Sequence, residues 1–95
     1  MEKKITISNR LGLHARAASK LVQLTNKFVS EIKISKGHIT ANGKSILGLL
    51  SLAASINTEI IVEVNGSDEN EALSEIEELF NNKFGESSWV KRKEV

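Results

Sequence analysis

Cysteine, proline and tyrosine are absent from this chain, and its aromatic residues are limited to three phenylalanines and one tryptophan. Without cysteine there is no disulfide and no thiolate metal site, and the redox compartment is left open. No apolar stretch approaches the length that spans a bilayer, and Met1-Glu2-Lys3-Lys4 leads into alternation rather than an apolar run. Neither membrane insertion nor a signal peptide is therefore expected. A formal net charge of +1 gives no electrostatic footprint for nucleic acid. What is present is ordinary: 95 residues, 40% hydrophobic and 26% charged. That is enough for one core and not for two, so the expectation is a single domain, monomeric and cytoplasmic.

Periodicity divides the chain into short elements. Lys3 to Ser8 alternates Ile5 and Ile7 with polar neighbours, as a half-buried strand does. Asn9 to Leu13 is turn chemistry, with Gly12 available for a positive φ. From Ala15 the apolar positions Ala17, Ala18, Leu21, Val22, Thr25 and Phe28 form a helical stripe. Ile32 and Ile34 restore alternation, Lys36-Gly37-His38 signals a hairpin turn, and Ile39 to Ala41 forms its second strand. Ser45 is placed to cap a short apolar helix running to Ala54. Ile60, Val62 and Val64 share one face of a further strand, with Ile61 on the other. Asp68 and Glu71 have the spacing of a capping box, followed by Ala72, Leu73, Ile76, Leu79 and Phe80 on one helical face and a C-cap glycine at Gly85. The order β-α-β-β-α-β-α implies an α+β fold, a two-layer open-faced sandwich with a four-stranded antiparallel sheet covered on one face by three helices.

The chemistry concentrates at the first strand-to-helix junction. His14 falls at a helix N-terminus, where backbone N–H groups lack partners and the helix dipole is positive. The N–H groups of Ala15 and Arg16 are expected to point at a group held by the ring, and the Arg16 guanidinium can pair with phosphate oxygens. An imidazole so placed is a candidate nucleophile. No carboxylate lies nearby in sequence to serve as a relay partner or second ligand, so triad hydrolysis and metal binding are the weaker readings. His38, alone in a hairpin turn, is expected to be exposed and idle.

The short helix carries apolar side chains on two arcs, Leu49, Leu52 and Ala53 on one and Ile46, Leu47 and Leu50 on the other. One helix cannot bury both against a single sheet. The second arc is expected to pack under a neighbouring segment or to remain exposed as a docking patch.

Two runs carry a resemblance. Gly12-Leu-His-Ala-Arg-Ala-Ala18 and Asn42-Gly-Lys-Ser-Ile-Leu-Gly-Leu-Leu-Ser-Leu52 resemble the two signatures of the HPr family, histidine phosphocarriers of the bacterial phosphoenolpyruvate-dependent sugar phosphotransferase system. The resemblance implies an HPr-like domain over residues 1–86, with residues 87–95 an extension to which it assigns no role. It further implies that His14 accepts a phosphoryl group on Nδ1 from phospho-enzyme I and passes it to enzyme IIA domains. Arg16 then assists transfer, and the chain is a carrier rather than an enzyme, with no cofactor and no metal. Ser45 matches a serine that a dedicated kinase/phosphorylase modifies in some bacteria, where it governs regulatory partners; from its residues alone, plain capping is the simpler role. The family likeness favours docking for Ile46, Leu47 and Leu50. Ala17 departs from the pattern, since many members have proline there; either residue suits a first helical turn. That departure leaves open whether sugar uptake or a nitrogen-related regulatory branch is served. Another class of function is a regulatory binding module controlled through Ser45. A third is an RNA contact through Trp89 and Lys91-Arg92-Lys93, which a sheet without aromatic stacking residues disfavours.

Overall fold

The computed structural model describes residues 1–86. The strands are β1 (Glu2–Thr6), β2 (Glu31–Lys36), β3 (Ile39–Asn42) and β4 (Glu59–Asn65); the helices are α1 (Ala15–Thr25), α2 (Ile46–Ser51) and α3 (Glu69–Asn81). All strand pairs are antiparallel, in the order β1-β4-β2-β3. Register follows the apolar alternation: Ile5 faces Ile60, Ile34 faces both Val62 and Ala41, and Ile32 faces Val64. A slip of one residue would turn each of these to the solvent face. Lys4, Lys33 and Ile61 lie on that other face, which no helix among the described residues covers, and Ile61 is exposed there. The expected sandwich is the one observed.

Helices α1 and α3 lay their stripes on the sheet, burying Ala17, Ala18, Leu21 and Val22 from one and Ala72, Leu73, Ile76 and Phe80 from the other. Buried Thr25 spends its hydroxyl on the carbonyls of Val22 and Gly43, at 3.3 and 2.8 Å. Ile7 lies past the end of β1 yet stays fully buried, because its N–H still donates to the Thr58 carbonyl and its own carbonyl accepts from Asn57. Phe28 is buried too, although α1 ends three residues earlier.

Three local expectations are corrected. Ala53 does not share the buried arc of Leu49 and Leu52. Helix α2 stops at Ser51, and Ala53 turns outward with φ +49°. Lys36 secures that exit, its ammonium donating to the Leu52 and Ala53 carbonyls at 3.0 and 3.2 Å, a cation placed where helix carbonyls lack partners. The capping box does not form either. The Asp68 carboxylate turns away from its own helix and accepts from the N–H groups of Val29 and Ser30 and from the Ser30 hydroxyl. Glu69, not Glu71, reaches back, accepting from the Gly66 N–H at 3.0 Å. Here the two loops approach so closely that a Cβ on Gly66 would lie 2.6 Å from the Ser30 Cα.

The third correction concerns the chain end. Helix α3 closes at Asn81 rather than near Gly85, and a 3-10 turn, Lys83–Gly85, follows. Lys83 and Phe84 both adopt left-handed backbone, at φ +56° and +51°, a conformation costly for residues with a Cβ. Burial of the Phe84 ring offsets that cost: it packs edge-on against Phe80, with centroids 5.0 Å apart. Trp89 and Lys91-Arg92-Lys93 lie outside the described residues.

Candidate functional site

The loop between β1 and α1 is built by Asn9 and Gly12. The Asn9 carbonyl accepts from the Gly12 N–H at 3.1 Å, and the buried Asn9 amide donates to the Gly12 carbonyl at 2.8 Å. Gly12 has φ +66°, and a Cβ there would fall 2.5 Å from the Ala54 carbonyl oxygen. Only glycine satisfies both the twist and the clearance. The Leu13 N–H then bonds the same Ala54 carbonyl at 2.8 Å, tying the loop to the exit from α2.

His14 is the N-cap of α1. Its backbone is extended (φ −79°, ψ −179°), its carbonyl accepts the Ala18 N–H at 2.8 Å, and its side chain makes no capping bond. The N–H groups of Ala15, Arg16 and Ala17 thus precede the first bond of the helical ladder. The ring is one quarter exposed and opens on a cleft of about 490 Å³. Arg10, Arg16, Lys20 and Lys83 line that cleft with it. Arg16 is exposed and has no ion pair among the described residues. Lys20 is anchored, its ammonium donating to the Phe84 carbonyl at 2.8 Å.

The cleft also holds a group that the order of residues did not disclose. Glu86 Oε2 lies 3.0 Å from His14 Nε2 and accepts from the Asn9 amide at 2.8 Å, while Oε1 accepts from the Leu11 N–H at 3.3 Å. Burial is the strongest single influence on this carboxyl and opposes its ionisation. The bonds from Asn9, Leu11 and His14, with the attraction of the ring, together outweigh it and hold the group below its ordinary value. A carboxylate 72 residues from His14 had no local signal, and it arrives only through the left-handed turn at Lys83 and Phe84.

Ser45 caps α2 as expected, accepting from the Gly48 N–H at 3.0 Å. Beside it Leu47 is 80% and Ile46 40% exposed, but Leu50 is partly buried and packs on the core. The exposed part of the expected docking patch is therefore Ile46 and Leu47. His38 is exposed in its hairpin turn. Among the described residues no group of three histidine, aspartate or glutamate side chains could hold a metal ion, and no helix is long and apolar enough to cross a membrane.

A family model described as the PTS HPr component phosphorylation site matches residues 1–82. The chain belongs to the HPr family. The phosphocarrier protein HPr of Xylella fastidiosa is 46% identical, over 93% of this chain and 99% of its own. The phosphocarrier protein NPr of Shewanella violacea is 43% identical, over 93% and 97%. Among solved structures, HPr of Thermoanaerobacter tengcongensis is similar with a TM-score of 0.87 and 40% identity, covering 90% of this chain and 96% of that one. Element order and sheet match this HPr structure across nearly the whole chain.

Proposed function

We propose that the protein is a cytoplasmic phosphoryl shuttle whose acceptor is Nδ1 of His14, charged by phospho-enzyme I and discharged to enzyme IIA domains in sugar uptake. The observation that carries the reading is the open helix end: His14 caps α1 with its backbone but not with its ring. Nδ1 has no hydrogen bond among the described residues, while Nε2 faces Glu86. The Nδ1 lone pair attacks phosphorus, and the bond to the donor's nitrogen breaks with its electron pair. The phosphoryl oxygens then meet the N–H groups of Ala15 and Arg16, the positive helix end and the Arg16 guanidinium. Ile46 and Leu47 supply the apolar part of the partner surface.

The test is incubation with phosphoenolpyruvate and a cognate enzyme I. One acid-labile phosphate is expected on the wild type and none on His14→Ala; a charged His14→Ala protein would refute the assignment. A second reading, regulation through Ser45, is favoured by the exposed Leu47 beside that cap and by the NPr-type relative. A phosphate on a capping serine is tolerated by the helix dipole while altering a surface that partners touch. Unchanged partner affinity in Ser45→Asp would remove it.

A further inference from the structure

We propose that Glu86 is a positioning residue for His14: it occupies Nε2, so that the phosphoryl group is directed to Nδ1, and it balances the charge that the ring acquires. This rests on the phosphocarrier reading for its biological meaning, though not for its chemistry. The geometry is specific. Glu86 Oε2 is 3.0 Å from Nε2, and the carboxylate is fixed independently by Asn9 and by the Leu11 N–H. The Asn9 amide that aims Glu86 also donates to the Gly12 carbonyl, so the group that shapes the loop also aims the carboxylate.

An ionised carboxylate only accepts hydrogen bonds, so Nε2 must carry the ring proton and Nδ1 the lone pair. When Nδ1 forms its bond to phosphorus, the leaving nitrogen departs with the electrons of the broken bond. The ring keeps its Nε2 proton and becomes cationic, opposite Glu86. Other charges lining the cleft are Arg10 from the loop, Arg16 and Lys20 from α1 and Lys83 from the 3-10 turn. All are positive, so Glu86 is the only anionic side chain lining this cleft among the described residues, and it alone favours the cationic ring.

Phosphoramidate tests this without any partner protein. It transfers its phosphoryl group to an imidazole and releases ammonia, and phosphorus and nitrogen NMR identify which ring nitrogen is modified. His38, exposed and with no ion pair among the described residues, is the internal reference and should be modified mainly on Nε2. In the wild type His14 should be modified on Nδ1. Glu86→Ala should give a mixture of isomers at His14. Glu86→Gln, which still accepts a hydrogen bond but bears no charge, should keep Nδ1 selectivity. It should discharge with a pH profile displaced to lower pH, with the phosphorylated form about tenfold less favoured. Thermal unfolding of each variant establishes that it is folded. Identical isomers and pH profiles in all three proteins would overturn the proposal, leaving the carrier reading intact. Failure of enzyme I to charge a wild type that phosphoramidate modifies on Nδ1 would overturn the carrier reading and leave this one standing.

Discussion

Helices α1 and α2 both begin from an extended N-cap residue and treat their N-termini in opposite ways. Ser45 turns its hydroxyl inward and satisfies the Gly48 N–H itself. His14 makes no side-chain bond to its own first turn, and its ring meets Glu86 instead. A capping residue with a short oxygen-bearing side chain completes a helix; a histidine in that place forgoes part of that stabilisation and leaves donors for an incoming anion. The start of α3 shows a third use, in which Asp68 gives its carboxylate to the loop before β2. On the proposed reading, one side chain at the N-cap separates an interaction site from a structural joint.

The largest test of that contrast is His14→Ser, which converts the open end to the closed type. Phosphoryl acceptance from phosphoenolpyruvate and enzyme I should vanish, while the new cap contributes up to about 1 kcal/mol to stability in urea unfolding. Gly12→Ala should come next, costing about 2–3 kcal/mol through its left-handed backbone and its clash with the Ala54 carbonyl, and displacing His14. Ser45→Ala should cost about 1 kcal/mol with His14 charging unchanged; a loss of charging there would mean that the two ends are coupled.

The smallest effect is that of Asp68. The Ser30 hydroxyl above all, then the Val29 N–H, hold its carboxyl below the ordinary value. A depressed folded-state value means that its stabilisation is complete above about pH 4 and is lost as the pH falls through that folded value. Acid unfolding of Asp68→Asn should therefore depend less on pH below 4 than that of the wild type, a difference read by circular dichroism.

Much of this was readable before folding, for a local reason. Strand faces and helix stripes depend on residues two to four apart, so Ile32, Ile34, Ile60, Val62 and the α1 stripe fall where alternation and helical period put them. Gly12 and Ser45 also declare themselves, since turns and caps are decided within three or four residues. Asp68 misleads because a carboxylate has more than one set of nearby N–H groups to choose from, and close passage of Gly66 past Ser30 brings the other set within reach. Ala53 differs from its expected arc because α2 ends before its apolar run does, whereas Leu50, inside the helix, is partly buried against the core. Glu86 was illegible altogether. Its position depends on two consecutive residues with Cβ atoms in left-handed backbone, held there by a buried ring, and no pattern along the chain announces such a turn.

That turn gives the cleft a temperature of its own. Phe84 seats the last turn in the core, and Lys20 reaches across to its carbonyl. Local opening of this turn is expected to withdraw Glu86 from the ring at less cost than global unfolding. On warming, loss of the His14–Glu86 contact is therefore expected before the domain melts, an order that histidine NMR and circular dichroism would follow separately.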